Sequence, residues 1–256
     1  MSSRREFLAA IGATLAWRPA LSAQPFPVPD DLAAANRILA MEGVLDGMGH
    51  VSARTGEGAD RFLLARSMAP QLVTVADIMD YRLDGQPVDP RGRSSYQERF
   101  IHSEIYRARP DVHAIVHCHT PSLIPFAASD VPMRAMYHMA AFVAEGVPVF
   151  DIRSAAGPTD LLVKTPALGA ALAKTLGQKP AVLMRGHGAV IVANSISNVV
   201  GRSIYLDINA RAQMQAVALG GKVTYVGADE ATLRMQDPNE YSRAWELWKR
   251  KLESEP

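Results

Sequence analysis

The chain has 256 residues, of which 48% are hydrophobic, enough to build a sizeable core in one large domain or two small ones. Its formal net charge is +1, and no basic run or charge block occurs, so nothing in the composition indicates binding to nucleic acid. The single cysteine, Cys118, excludes an intramolecular disulfide and a cysteine-rich metal site.

The first 23 residues have the pattern of an export signal. Arg4 and Arg5 form a twin-arginine pair, which is followed by the apolar run Phe7–Trp17 and by small residues suited to signal-peptidase cleavage. The apolar run is shorter than the roughly 20 residues that a membrane-spanning helix needs. We therefore expect residues 1–23 to be a twin-arginine signal peptide that directs a single domain, residues 24–256, to the periplasm. The alternative is a frayed amphipathic N-terminus on a cytoplasmic protein.

Periodicity, capping residues and turn residues predict short strands and helices in alternation. The first half of the chain is predicted to form a helix from Asp30 or Asp31 with apolar residues as far as Leu45, strands at 49–54 and 61–65, a helical turn at 74–77 and a hairpin about Asp84-Gly85. A helix at 98–108, a strand at 111–120, short helices at 122–128 and 136–144 and a strand at 147–152 follow. The last part is predicted to form a helix from Thr165 to Gly177, strands at 180–184 and 189–193, a long helix at 197–219 and a last helix after Asp237. Such alternation indicates an α/β fold in one domain.

The predicted strand within 111–120 places two histidines on one face. His117 and His119 are two residues apart, a spacing of roughly 7 Å along a strand, so both side chains can bind one ion. Neutral imidazole is a ligand for Zn, Mn, Fe or Co. Cys118 lies on the opposite face, which favours packing over catalysis. The alternative is a pair of histidines that are hydrogen-bonded near a strand end, which is the more common case for an isolated pair.

Two further residues could complete a metal site. His187 lies between Gly186 and Gly188, which allow the backbone to turn sharply and hold the ring clear. Glu98 begins a helix, and its spacing from Ser95 is that of a capping box, in which its carboxylate would bond the Ser95 amide. Taken alone, Glu98 is better explained as a cap. On the same helix, His102 and Glu104 have no pattern that indicates a function.

With Glu98, His117-Cys118-His119 and Gly186-His187-Gly188 in this order, the chain resembles the class II aldolase/adducin family from about residue 33 to residue 221. The resemblance implies a three-layer α/β/α sandwich around a mixed, largely antiparallel sheet. It also implies that His117, His119 and His187 bind a divalent metal (Zn, Mn or Co), and that Glu98 acts as acid/base and in some members as a fourth ligand.

The resemblance further implies a homotetramer with active sites at subunit boundaries. The last predicted helix carries an aromatic stripe that is typical of a core or a subunit interface, and a tetramer would explain it. The stripe consists of Tyr241, Trp245, Trp248 and Leu252.

The sequence departs from the sugar-phosphate aldolases of the family where those enzymes hold phosphate. Their Gly-Asn turn, Thr-Gly pair and Ser-Ser pair correspond here to Gly49-His50, Arg66-Ser67 and Tyr96-Gln97, so a phosphate cradle of small residues is missing. The segments 49–54, 66–67 and 137–139 are more similar to the hydroxy-methylpyridine-dicarboxylate and dihydroxyphthalate decarboxylases of the family. Adducin-like members lack the ligands that this chain keeps, which argues against a purely structural role.

The resulting hypothesis is a metal-dependent lyase that decarboxylates a hydroxy-aromatic or hydroxy-heteroaromatic (di)carboxylate through a metal-stabilised, enolate-like intermediate. Glu98 or His138 returns the proton to carbon, with Tyr137 as the alternate to His138. A second carboxylate of the substrate is held by Arg66, since guanidinium fits carboxylate, and an exposed ion pair is the alternative for this arginine. The other residues predicted to bind substrate are His50, Ser52 and Ser67.

Two other functions stay open at this point. One is an aldolase or epimerase that acts on a non-phosphorylated hydroxy-carbonyl compound. The other is a non-catalytic, exported metal- or ligand-binding protein, against which the retained Glu98 argues. The expected partner is a small-molecule carboxylate, and neither nucleic acid nor a membrane is expected.

Overall fold

A seven-stranded sheet forms the centre of the computed structural model, which describes residues 29–56 and 60–254. The strands lie in the order β3-β2-β1-β4-β7-β6-β5, and every pair is antiparallel except β5 and β6. They are β1 (His50–Arg54), β2 (Arg61–Ala65), β3 (Ile78–Arg82), β4 (Ala114–Cys118), β5 (Val149–Phe150), β6 (Ala181–Met184) and β7 (Gly188–Ala193).

Helices cover both faces of the sheet. On one face α1, α6 and α8 pack together, and on the other face α2 packs against α5. The helices are α1 (Pro29–Met41), α2 (Arg99–Ala108), α3 (Ile124–Ala128), α4 (Arg153–Ala156), α5 (Pro166–Leu176), α6 (Ile196–Ala218), α7 (Ala228–Arg234) and α8 (Ser242–Ser254). The predicted three-layer α/β/α sandwich is therefore confirmed.

Alternation along the strands produces two hydrophobic cores. In β4, Val116 and Cys118 belong to the core beneath α1 and α6, which we call the first core, whereas Ile115 belongs to the second core beneath α2 and α5. His117 must face the same side as Ile115. Cys118 is fully buried, as its predicted packing role requires. The metal-ligand candidates therefore lie on the side of the sheet that α2 and α5 cover.

Several predicted boundaries differ from the structure. The first helix starts at Pro29 and ends at Met41, so the buried residues as far as Leu45 lie beyond it in a turn. The strand predicted at 147–152 is reduced to β5, and residues 138–143 form a 3₁₀ helix. The turn at 74–77 is a 3₁₀ turn with the predicted capping box.

The aromatic stripe of α8 is explained within one chain. Trp245 and Trp248 are buried in the first core, and the rings of Tyr241 and Trp248 lie 5.4 Å and 6.2 Å from that of Tyr205 on α6. Of the two explanations given for this stripe, packing in a core is therefore confirmed, and the stripe no longer bears on the predicted tetramer.

The predicted export signal, residues 1–23, lies outside the described residues. Among the helices that the structure does describe, none combines the length and the apolar character needed to span a bilayer.

Candidate metal centre

The four predicted ligands meet at one edge of the sheet. His117 is near the end of β4, where it pairs with Val190 of β7, and His119 follows just after the strand. His187 lies in the turn between β6 and β7, and Glu98 immediately precedes α2. One ligand atom from each side chain lies within 4.8 Å of the other three.

Hydrogen bonds from Nδ1 hold the imidazole rings in place. His117 Nδ1 donates to the carbonyl of Ala189 at 3.1 Å, and His187 Nδ1 donates to the carbonyl of Leu161 at 2.9 Å. A carbonyl oxygen can only accept a hydrogen bond, so both rings carry a hydrogen on Nδ1. In the neutral ring, Nε2 then carries a free lone pair that can bind a cation. The Nε2 atom of His119 lies 3.1 Å from Nε2 of both other histidines.

Asp46 orients the third ring, a role that the sequence analysis missed. Both of its carboxylate oxygens lie 3.1 Å from His119 Nδ1, and the amides of Met48 and Gly49 donate to Oδ1 at 2.9 and 3.0 Å. Although burial acts to raise the pKa of Asp46, these amide bonds and His119 lower it, so the carboxylate is ionised at neutral pH. The only signal in the sequence was an Asp-Gly turn, which is common in proteins.

Glu98 occupies the N-cap position of α2, but its side chain lies among the three histidines instead of capping the helix. Its Oε1 accepts a hydrogen bond from the amide of Val163 at 2.8 Å, and its Oε2 lies 3.6 Å and 3.4 Å from Nε2 of His117 and His187. Ser95 accepts instead from the hydroxyl of Tyr81, and the side chain of Glu98 makes no capping bond. Burial acts to raise the pKa of Glu98, but the two histidines outweigh it and hold the pKa far below its usual value.

The segment 161–163 supports both Glu98 and His187. Leu161, whose carbonyl accepts from the His187 ring, has a φ of 68°, a left-handed conformation that costs energy for a branched side chain. A Cβ atom on Gly188 would lie 2.0 Å from the carbonyl oxygen of Cys118, so only glycine lets β7 approach β4 this closely. The His187 ring is thus held by a strained residue, Leu161. The turn that carries His187 is followed by a glycine, Gly188, that no other residue can replace without displacing β4.

This donor set fits a divalent cation. Three inward-facing imidazole nitrogens and one carboxylate are ligands that Zn, Mn and Co accept. Burial lowers the pKa of His117, which favours its neutral form. Burial also acts to lower the pKa of His187, but the bond and charge of Glu98 raise it. The His119 side chain is 20% exposed, so the centre opens to solvent on this side.

The three segments that replace the phosphate cradle come together beside the metal ligands. His50 lies directly opposite His117 in the pairing of β1 with β4, and its ring centroid is 4.4 Å from that of Tyr96. The Tyr96 hydroxyl donates to the carbonyl of Met68, and the amide of Ser67 donates to the carbonyl of Ser94. Residues 50, 67–68 and 94–96 thus form one wall of the site.

Arg66 and Ser67 stand at the outer side of this wall. Arg66 Nε pairs with Asp77 Oδ1 at 2.6 Å, so the ion pair considered as an alternative is present. The side chain is nevertheless 39% exposed, and neither of its Nη atoms has a hydrogen-bond partner in the described part of the chain. Ser67 is exposed. Both residues can therefore still contact a ligand.

Ser52 does not reach the centre directly. It is fully buried, and its hydroxyl is bonded to His102 Nδ1 at 2.6 Å and to the Tyr106 hydroxyl at 2.9 Å. Direct binding of substrate by Ser52 is thus contradicted. His102, which no sequence pattern singled out, links Ser52 to His50, since its Nε2 lies 2.7 Å from His50 Nδ1. Burial lowers the pKa of His50 and lowers that of His102 to about 3, so both rings are neutral.

Residues 30–214 match the family described as Class II Aldolase and Adducin N-terminal domain, which is more than half of the chain. The chain belongs to this family. It is 33% identical over 241 residues to the decarboxylase tropJ of Talaromyces stipitatus, covering 85% of this chain and 91% of that protein. It is also 33% identical over 207 residues to the 3,4-dihydroxyphthalate decarboxylase of Arthrobacter keyseri, covering 74% of this chain and 79% of that enzyme.

Solved structures agree on the fold of this aldolase/adducin domain. The L-fuculose 1-phosphate aldolase from Glaciozyma antarctica superposes with a TM-score of 0.72 at 23% identity, and the match covers 88% of each chain. At this identity the likeness concerns the fold alone. The two relatives at 33% identity are named decarboxylases, which are lyases, and the protein is accordingly an enzyme of the lyase class.

Within one chain of this family member, Tyr137 and His138 lie away from the four ligands. Tyr137 is half-buried and packs against the first core, on the opposite face of the sheet from His117, with its ring 6.3 Å from that of Tyr205. His138 is exposed on the 3₁₀ helix that it begins. Among the described residues of one chain, Glu98 is thus the predicted acid/base group that lies next to the three histidines.

Proposed function

We propose that the protein is a divalent-metal-dependent decarboxylase of a hydroxy-aromatic or hydroxy-heteroaromatic (di)carboxylate. The observation that carries this proposal is the convergence of three Nε2 lone pairs and the Glu98 carboxylate within 4.8 Å, next to a wall in which His50 and Arg66 replace phosphate-binding residues. The names of the relatives at 33% identity support the same reaction class.

The reaction requires a place for one pair of electrons. The ring carbon that bears the carboxylate first takes up a proton, as an electron pair from the deprotonated oxygen of a neighbouring hydroxyl moves into the ring and leaves a ketone. When the bond to the carboxylate then breaks, carbon dioxide leaves and the electron pair of that bond returns through the ring to the same oxygen. A divalent cation, when held by His117, His119 and His187, supplies positive charge for that oxygen. The proton taken up at the start stays on the ring carbon in place of the carboxylate.

Glu98 is suited to move this proton. Its low pKa keeps it ionised, so it can accept the hydrogen of the substrate hydroxyl and then donate it to the ring carbon. The amide of Val163 fixes Oε1, and Oε2 is left on the side of the histidines. The proton count balances, since the hydroxyl loses the proton that the carbon gains and the hydroxyl recovers one from solvent.

The wall next to His117 would hold the rest of the substrate. Arg66 offers two Nη groups, which form paired hydrogen bonds with a carboxylate more readily than the ammonium of a lysine does. A substrate with a second carboxylate would therefore bind between the cation and this arginine, with Ser67 at the outer edge.

The test is carbon dioxide release from a panel of hydroxy-aryl and hydroxy-pyridine dicarboxylates by the metal-loaded protein. We expect release from at least one compound, its loss in His117→Ala, and a large decrease in Glu98→Gln with metal still bound. If the panel yields no carbon dioxide although metal is bound, and hydroxy-carbonyl compounds yield aldehydes, the protein is an aldolase. Bound metal with neither activity would indicate a binding protein.

We further propose that residues 1–23 export the protein to the periplasm as a twin-arginine signal. Fractionation of cells that express the full-length chain or its Arg4→Lys, Arg5→Lys variant tests this proposal. We expect the unchanged chain in the periplasm and the variant in the cytoplasm. Cytoplasmic retention of both would contradict it.

A further inference from the structure

Behind the metal ligands, four buried side chains form one row of hydrogen bonds. His50 Nδ1 lies 2.7 Å from His102 Nε2, His102 Nδ1 lies 2.6 Å from Ser52 Oγ, and Ser52 Oγ lies 2.9 Å from Tyr106 Oη. None of the four residues is more than 2% exposed. The row runs from the wall of the site to the second core, and each ring in it is neutral.

The row can be protonated in two directions, and these differ in which donor is left without an acceptor among the described residues. If Tyr106 donates to Ser52 and Ser52 donates to His102 Nδ1, then His102 Nε2 carries a hydrogen and donates it to His50 Nδ1. In the reverse direction His102 Nδ1 donates to Ser52, and either the serine or the tyrosine hydroxyl has no acceptor within the described residues. In the first direction the donor left over is His50 Nε2–H, which is at the wall of the site and is not among the fully buried unpaired atoms, so a ligand can accept from it. In the reverse direction the donor left over is a hydroxyl of Ser52 or Tyr106, which are 0% and 1% exposed. An unpaired buried donor is costly, so the first direction is favoured.

We propose that this row fixes His50 as the tautomer with its hydrogen on Nε2, and so provides the site with a permanent N–H donor for a substrate carboxylate. Ser52 and His102 are then positioning residues that act through His50. The donor role rests on the proposed decarboxylase function, whereas the tautomer does not.

The position of His50 agrees with this role. Its ring centroid lies 5.2 Å from that of His117, and its Nδ1 is taken up by His102. Nε2 is on the opposite side of the ring from that bond, and it has no hydrogen-bond partner among the residues that the structure describes. An Nε2 that already carries a hydrogen donates to a carboxylate oxygen but does not accept a proton. The proposal therefore assigns substrate binding to His50 and leaves proton transfer to Glu98.

Nitrogen-15 NMR of histidine-labelled, full-length, zinc-loaded protein tests the tautomer. The His50 resonances are identified by their absence in His50→Gln. We expect a protonated Nε2 and an unprotonated Nδ1 for His50, and the same pattern for His102. A hydrogen on Nδ1 of His50 would overturn the proposal, whatever the enzyme catalyses.

Two serine variants show whether the row sets the tautomer. Ser52→Ala removes the donor to His102 Nδ1, so we expect His50 to become a mixture of tautomers. Ser103→Ala is the matched control, because Ser103 is also fully buried, is adjacent to His102 and has a hydroxyl without a partner among the described residues. It should leave the His50 resonances unchanged. An unaltered His50 in Ser52→Ala would contradict the assignment.

Tyr106→Phe provides a second measurement in case Ser52→Ala does not fold. Without the tyrosine, His102 Nδ1 is the acceptor left for the serine hydroxyl within the described part of the chain, so the wild-type tautomer of His50 should persist. A reversed tautomer in this variant would show that Ser52 does not set the direction.

The role toward substrate is tested with phthalate, which has two carboxylates but no hydroxyl oxygen to receive the electron pair. We expect phthalate to shift the Nε2–H proton resonance of His50. We also expect His50→Leu to raise KM for the active substrate roughly tenfold or more with little change in kcat, and His50→Gln, which keeps an N–H, to recover part of this loss. A decrease confined to kcat would refute the binding role while leaving the decarboxylase proposal intact.

Discussion

Two groups of histidines lie side by side on one face of the sheet, and they present opposite chemistry. In the metal centre, His117 and His187 donate from Nδ1 to carbonyl oxygens, so their Nε2 lone pairs face inward. In the neighbouring pair, the hydroxyl of Ser52 faces Nδ1 of His102, and the favoured direction places a hydrogen on Nε2 of His50. The partner of one ring nitrogen thus decides whether the other binds a cation or donates to a substrate.

A loss of zinc affinity should distinguish the two groups of histidines, and we expect this change to be the strongest. His117→Ala removes one ligand, so metal affinity should fall by more than the roughly 10–100-fold that loss of an outer hydrogen bond causes. His50→Gln removes a ring from the neighbouring pair and should retain full metal content. Isothermal titration with zinc measures both variants. Equal loss of affinity in the two would contradict the division into a metal centre and a substrate-binding pair.

Asp46 is the next test, because its carboxylate orients a ligand ring from outside the cluster. Asp46→Ala frees the His119 ring, and we expect metal affinity to fall roughly 10–100-fold while the fold is kept. Asp130→Ala, at an exposed position, serves as the control. An affinity within twofold of wild type would mean that His119 is positioned by other contacts.

The fold and the ligands could be predicted because their signals are local. The alternation in β4, which places Cys118 in a core and His117 opposite to it, is visible in five consecutive residues, as is the turn of His187 between two glycines. The order of Glu98, the His-x-His pair and the late Gly-His-Gly was specific enough to identify the family.

The supporting residues could not be predicted because their roles depend on distant partners. His102 contacts His50 and Ser52, which precede it by 52 and 50 positions. Asp46 contacts His119, which follows it by 73 positions. Glu98 had the local pattern of a capping box, but the amide of Val163, 65 residues away, is its partner. The choice between a core and an interface for the α8 stripe also depended on distant partners, since Tyr205 and the first core cover the two tryptophans.

Metal binding is expected to depend on pH through His187. Glu98 raises the pKa of His187 above 6.5 although burial acts to lower it. In the metal-free protein this ion pair contributes stability that is present below pH 6.5 and is lost as the pH rises through the raised pKa. The extra proton on His187 must leave before its Nε2 binds a cation. Apparent zinc affinity should therefore increase as the pH rises through the pKa of His187.

Glu98→Gln tests the cause of this dependence. Without the carboxylate the pKa of His187 falls, so the midpoint of the zinc-affinity curve against pH should move to lower pH. His50→Gln, outside the ligand set, should leave the midpoint where it is. A midpoint that Glu98→Gln does not move would show that another group controls the titration.

The smallest expected effect is that of Leu161→Gly, which asks whether the strained residue serves the metal centre through its backbone or its side chain. At φ 68° the leucine is strained by about 1–3 kcal/mol, and glycine relieves this strain. Glycine also adds backbone entropy to the unfolded chain and removes a half-buried side chain, and both of these changes lower the stability. These terms oppose one another, so the free energy of unfolding should change by about 1 kcal/mol or less. The carbonyl that accepts from His187 is retained, and zinc affinity should therefore stay within about twofold of wild type. Denaturant titration and calorimetry measure the two quantities. A tenfold loss of zinc affinity with unchanged stability would mean that the leucine side chain itself holds the His187 ring in place.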